Sequence, residues 1–235
     1  MGERLSDARY NGICGCEVWF LKHVKMENLT QEELKKESER RAFFDAHARG
    51  WEEHGYPTQV RERLVELVDR FELQSGEKVL DVGCGEGVLV PYLLDRLGSQ
   101  GFVVELDNSL QMLKGAAKKS ARQIQCVWAS VESMPLPDEE FDRVICFASF
   151  PHFSSPLKAL KQICRVLKPA GTLVIAHLLS REEIARHHAK SSVVVGDELP
   201  EESVMRSLLE DSGFCLSRLE DKPGRYLLLA RKEEK

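Results

Sequence analysis

A glycine-spaced loop bounded by two acids is the segment of this chain best equipped for chemistry. Gly83, Gly85 and Gly87 alternate with Cys84 and Glu86, and Asp81 stands two places before the first glycine. Such a turn, between a strand and a helix, lets backbone N–H groups approach a ligand closely at a helix N-terminus. Dinucleotide sites space their glycines differently, as Gly-x-Gly-x-x-Gly. A carboxylate at Asp81 would repel a pyrophosphate and suits a ligand that carries an amine or a positive charge. Asp107 lies twenty residues past Gly87, at the end of the next apolar run. A carboxylate there can take both ribose hydroxyls of an adenosine. Taken singly, Asp81 reads as a helix cap, Asp107 as a strand-end turn residue and the glycines as turn formers. Their order and spacing together favour a nucleoside site.

Imidazoles form the second group. Of seven histidines, four (His152, His177, His187 and His188) fall at or after the ends of two later strands. Those strands are expected to be neighbours, ~4.8 Å apart, so His152 and His177 should open onto one cleft. Residues 181–190 should form a polar helix or loop over it, bringing His187 or His188 to its mouth. Imidazole titrates near neutrality, which makes His152 the candidate general base and His177 a second catalytic candidate. The cluster also suits zinc, copper, iron or nickel. No carboxylate or cysteine stands beside it at fixed ligand spacing, so no metal is assigned. Solvation of His187 and His188 on a charged helix is the plain alternative. Cys14 and Cys16, as Cys-Gly-Cys, give a weak metal or redox signal with no second pair. The other five of the seven cysteines lie in apolar segments and read as small buried hydrophobes of a reducing compartment.

The elements that would position these groups alternate. Strands are expected over 79–82, 102–106, 124–128, 143–148 and 172–179, with helices between them. Residues 168–171 read as a turn. After a helix near 201–211 come two strands, 214–219 and 226–230, joined by a loop too short for a parallel crossover. The pattern argues for a doubly wound, mostly parallel seven-stranded α/β sheet with one antiparallel strand. Residues 1–25 show no sustained period and are expected to be a flexible extension. Residues 26–75 open on a capping box, Thr30 with Glu33, and form a helical lid; 76–235 form the ligand-binding domain. The 235 residues are 43% hydrophobic and 30% charged, a globular composition, and the net charge of −5 lacks the basic footprint of a nucleic-acid binder. No apolar run nears the ~20 residues that span a bilayer, and the N-terminus carries no signal pattern, so a cytoplasmic protein is expected.

Val79-Leu80-Asp81-Val82-Gly83-Cys84-Gly85-Glu86-Gly87 resembles motif I of class I S-adenosylmethionine-dependent methyltransferases. The nearest likeness is to the small-molecule type that includes quinone-biosynthesis methyltransferases. Leu106-Asp107-Asn108-Ser109-x-x-Met112-Leu113 is similar to that family's second segment, and Glu132-Ser133-Met134-Pro135-Leu136-Pro137-Asp138 with Phe141-Asp142 to its third. Arg165-Val166-Leu167-Lys168-Pro169-x-Gly171-Thr172-Leu173 resembles the helix-turn-strand that follows. The resemblance spans residues 43–179. It implies a Rossmann-like sheet of order 3-2-1-4-5-7-6, S-adenosylmethionine as cofactor and a small-molecule acceptor. It implies that Asp81, Gly83 and Gly85, in the loop closed by Gly87, line the methionine end and that Asp107 binds the ribose. Leu106 and Met112 would flank the adenine, with Val131 and Glu132 near its edge, and Trp51 and Tyr56 would close the site.

Three departures stand out. Ser130 occupies an adenine-facing position where the family often has Asp. Glu105 replaces a small residue and reads as a solvated charge. Ala148-Ser149-Phe150-Pro151-His152-Phe153 lacks the Asn/Asp-Pro-Pro-aromatic motif of N-methyltransferases, which argues against a nucleobase or amide nitrogen as acceptor. Phe150 and Phe153 are candidate walls of an acceptor pocket. Three readings follow: methyl transfer to a small molecule with His152 as base, a cofactor-binding module that catalyses nothing, and transfer to a metal, metalloid or corrinoid acceptor through the histidines. Nicotinamide chemistry is disfavoured by the glycine spacing and Asp81.

Overall fold

A computed structural model describes residues 8–11, 17–20, 30–119, 122–190 and 194–234, the first two segments as backbone. Its strands are β1 (Ala8–Asn11), β2 (Glu17–Phe20), β3 (Lys78–Val82), β4 (Phe102–Asp107), β5 (Ile124–Trp128), β6 (Phe141–Phe147), β7 (Leu167–His177), β8 (Phe214–Lys222) and β9 (Arg225–Lys232). They form one sheet of order β1-β2-β5-β4-β3-β6-β7-β9-β8. From β3 onward this is the expected seven-strand order. β3 to β7 are mutually parallel, while β9 runs antiparallel to both β7 and β8.

The parallel strands are continuous apolar runs because helices cover both faces. Leu80, Val104, Val144 and Ile175 pack against α6 (Pro156–Val166) and α8 (Glu202–Glu210) through Leu160, Ile163, Met205 and Leu209. Their neighbours one residue away, Val79, Val103, Ile145 and Val174, pack on the other face with Leu64 and Leu67 of α3 (Thr58–Val68) and Leu93 and Leu97 of α4 (Val90–Leu97). Period-two alternation thus feeds two cores from the same strands. α1 (Gln31–His47) and α2 (Trp51–Gly55) precede the sheet, α5 (Leu110–Ala116) follows β4, and α7 (Arg181–His188) follows β7. Among the described residues no helix is long and apolar enough to cross a membrane.

Two features differ from expectation. Lys168 to Gly171 is not a turn between elements but a bulge within β7: the register against β6 shifts between Phe141 and Arg143, and Ala170 has φ 58°. Within the expected extension, β1 and β2 pair antiparallel, and β2 lies parallel along β5 through Val18↔Cys126 and Trp19↔Val127. Strands of four residues are too short to register as a period, and an edge pairing is made by backbone rather than by side-chain pattern. Cys14 and Cys16 lie outside the described residues.

Candidate active site

The carboxyl ends of β3, β4, β5 and β6 open on one side of the sheet, where open α/β folds place their ligands. In the loop after β3, Gly83 has φ 69°, and a Cβ there would stand 2.4 Å from Ser149 Cβ. Ser149, in the loop after β6, also donates its hydroxyl to the Val82 carbonyl at 2.7 Å. Gly83 is therefore demanded by the approach of two loops. Gly87 does not line the cleft, contrary to the motif reading. A Cβ there would meet Ala116 and Val90 at 3.2 Å, so its absence lets α4 begin against α5. Gly85 does face the cleft. Its N–H donates to Asp107 Oδ2 at 2.9 Å, and Ser109 N–H donates to Oδ1 at 2.7 Å. Each Asp107 oxygen keeps a second lone pair for a ligand.

Buried acids accumulate here. Burial and the Asp107 charge push the Asp81 carboxyl up to about 8. Burial pushes Asp107 up to about 6 against the hydrogen bonds it receives. Glu105, expected to be a solvated charge, is 0% exposed, opposite Asp81 in register, with neither oxygen partnered. Burial and Asp81 drive its carboxyl well above the usual range.

The cleft has about 1030 Å³ of empty volume, open solvent included. Leu106, Met112, Ser130, Val131 and Glu132 line one end. Phe44, Trp51 and Tyr56 come from the helices before the sheet. The Phe44 ring stands edge-on to Trp51 at 5.6 Å and to His152 at 5.4 Å. Asp45 accepts the Ser109 hydroxyl at 2.6 Å, and Glu52 N–H donates to Glu86 in the glycine loop at 2.8 Å, so α1 and α2 are fastened to the cofactor side. Phe153 lines the cleft, whereas Phe150 is buried in the core beneath it, with ring centroids 5.2 Å apart.

The histidines divide. His152 lines the cleft, and its Nδ1 lies 2.8 Å from Oδ2 of Asp197, itself 5% exposed. Asp197 also pairs with Arg40 of α1. Against burial, the bonds from His152 and Arg40 hold the Asp197 carboxyl below its ordinary range. His188 stands 4.9 Å from His152, centroid to centroid, and its Nδ1 contacts the Asp197 carbonyl. His187 is exposed. His177 does not open onto the cleft: it is 6% exposed, its Nε2 has no partner, and burial with the nearby His152 and His188 pushes it down to about 3. The cause is alternation, since His177 shares the parity of Leu173 and Ile175, on the face covered by α6, α8 and Ile184 of α7. Among the described residues no three His, Cys, Asp or Glu side chains are arranged to hold a metal.

Comparison with known proteins bears on the family at this point. Residues 80–175 match the methyltransferase domain family. The match runs from β3 to β7. Over 115 residues the chain is 35% identical to a ubiquinone/menaquinone biosynthesis C-methyltransferase of Francisella philomiragia, covering 47% of this chain and 46% of that protein. Over 110 residues it is 36% identical to a demethylmenaquinone methyltransferase of Staphylococcus epidermidis, covering 46% of each. The chain spans about half the length of the curated relatives it matches. A solved S-adenosylmethionine-dependent methyltransferase from Aquifex aeolicus superposes with TM-score 0.63 at 26% identity, over 74% of this chain and 93% of that one. The [4+2]-cyclase SpnF, 22% identical, shares the fold with TM-score 0.61 over 75% of this chain and 82% of its own.

The Aquifex aeolicus protein is S-adenosylmethionine-dependent, and the residues present here fit that cofactor. The buried acids Asp81 and Asp107 suit a cationic amino-acid end and a ribose, and Leu106, Met112 and Val131 offer apolar walls for a base. Asp197, Arg40 and Glu37, which also line or support this site, were not read from the sequence. Gly196-Asp197 looks like an ordinary turn there.

Proposed function

We propose that this chain transfers a methyl group from S-adenosylmethionine to a small-molecule acceptor that must lose a proton, with His152 as general base. The observation that carries the proposal is the 2.8 Å pairing of His152 Nδ1 with buried Asp197, on a ring lining the same cleft as Asp81 and Asp107. A carboxylate at Nδ1 keeps the proton on that nitrogen and leaves Nε2 as the lone pair that accepts one. Bound S-adenosylmethionine would supply an electrophilic methyl, which an in-line nucleophile takes from sulfur with S-adenosylhomocysteine as the leaving group. This chain's residues do the rest. Asp81 and Asp107 orient the donor, Phe44, Trp51 and Tyr56 exclude water, and His152 takes the acceptor's proton. Holding donor and nucleophile in line can lower the barrier by roughly 7–11 kcal/mol.

The acceptor class favoured is a phenol, enol or quinol. Deprotonating such a hydroxyl makes both its oxygen and the adjacent carbon nucleophilic, and the quinone-directed names of the relatives point the same way. The geometry favours proton transfer over a metal or corrinoid acceptor, because of the four histidines only His152 lines the cleft.

The test is S-adenosylhomocysteine release across phenols, quinols, thiols and amines. Release with a phenol or quinol is expected. His152→Ala should keep cofactor Kd within about twofold and lose about 10²–10⁴ in turnover. No release with any acceptor would leave a binding module, and full turnover in His152→Ala would remove the base.

A further inference from the structure

Helix α1 brings into the cleft a carboxylate for which the proposed chemistry has no use. Glu37 is 6% exposed and lines the cleft beside Ser130 and Glu132. Among the described residues its Oε2 has no hydrogen-bond partner. A buried acceptor in that state is rare enough to call for a donor from outside the chain.

The described groups around it leave Oε2 without a donor. Ser130 donates its hydroxyl proton to Glu132. Glu132 takes the Ser154 and Ser155 amides at 2.8 and 3.2 Å on its other oxygen, so it is already satisfied. Arg40, one turn along α1, is committed to Asp197 and to the Ser154 hydroxyl at 3.2 Å. Burial and the charge of Glu132 push the Glu37 carboxyl up to about 7, against the Ser130 hydroxyl and the charges of Arg41 and Arg40.

Position along the cleft selects the donor. Asp107 pairs in register with Trp128, the last residue of β5, and Ser130 follows two residues later. A nucleoside whose ribose sits at Asp107 therefore extends its base over the end of β5, toward Ser130 and Glu37. S-adenosylmethionine carries three kinds of N–H or O–H donor. Its ammonium belongs with Asp81 at the glycine loop and its ribose hydroxyls with Asp107, which leaves the exocyclic amine of the adenine. We propose that Glu37 Oε2 accepts that amine, so the lid helix rather than the sheet reads the identity of the base. The inference rests on the cofactor assignment above.

Replacing the amine by an oxo group turns the donor into an acceptor and opposes two oxygens. The probes are accordingly S-adenosylhomocysteine and S-inosylhomocysteine, titrated calorimetrically against the whole chain. The unsubstituted protein should favour the adenosyl compound about tenfold or more. Glu37→Gln, whose amide can turn its NH₂ toward the oxo group, should weaken adenosyl binding and bring the ratio close to one. Glu37→Ala should narrow the ratio as well, whereas a merely structural role would weaken both ligands equally. An unchanged ratio in both variants, or no preference in the unsubstituted protein, overturns the inference. Failure of the unsubstituted protein to bind either compound overturns the cofactor assignment and this inference with it.

Discussion

Asp81 and Glu105 face each other across β3 and β4 as two carboxyls that burial keeps protonated far above the range of an unfolded chain. Each native carboxyl retains a proton that the unfolded chain releases near pH 4. Their contribution to stability is therefore full below that pH and is lost as pH rises through the native values, about 8 for Asp81. Glu105→Gln, neutral and nearly isosteric, should stabilise the unliganded protein at pH 8 and change little at pH 4.5. Equal effects in urea unfolding at both pH values would contradict this. At Asp81 the cofactor enters the balance, because a cationic methionine end favours the ionised carboxyl and binding at pH 6 must expel a proton. Affinity is expected to rise about tenfold between pH 6 and 7.5. Asp81→Asn should abolish that slope, and calorimetry in two buffers of different ionisation enthalpy would count the proton. Asp81, Gly85, Asp107 and Met112 were legible because each sits where a strand ends or a helix begins. Asp197 was not: it meets His152 across 45 residues and Arg40 across 157, and no local spacing encodes such contacts. Nearness to a strand end misplaced His177, since it does not say which face a side chain takes.

Helix α1 is held against the cleft by three attachments: Arg40 to Asp197, Asp45 to Ser109, and the Phe44 ring against His152. Breaking a buried ion pair from one side typically costs about 3–5 kcal/mol, because the remaining charge is stranded. Arg40→Met should therefore accelerate amide exchange across Gln31–His47 while β3 to β7 stay protected. Saturating S-adenosylhomocysteine should slow it again. Unchanged exchange along α1 would show that the pair does not anchor the helix. The start of α1 was readable from Thr30, but its end was not. A run of charged residues masks Phe43 and Phe44, so the helix continues to His47 beyond the Arg41 at which its charged pattern fades. β7 began earlier than its apolar run because Lys168-Pro169-Ala170-Gly171 carries turn chemistry that the sheet absorbs as a bulge.

The order of the sheet came with the family resemblance, whereas alternation of strands and helices gave only its parallel character and the short 220–225 connection gave its antiparallel strand. The outermost pair, β1 and β2, came from neither. Deleting residues 1–25 would bare the outer edge of β5. The seven-strand sheet and cofactor Kd are expected to persist, since β2 meets β5 at two register positions only. Self-association should rise, because an unpaired edge is a template for another chain. Light scattering and calorimetry would check both, and a lost affinity would mean that β2 supports the loop after β5. The same pairing also sets a timetable for synthesis. The partners of β2, Cys126 and Val127, lie more than a hundred residues downstream. At about 5–20 residues per second, translation supplies them roughly 5–20 s after β2 is made. Until then β1 and β2 have only each other to pair with.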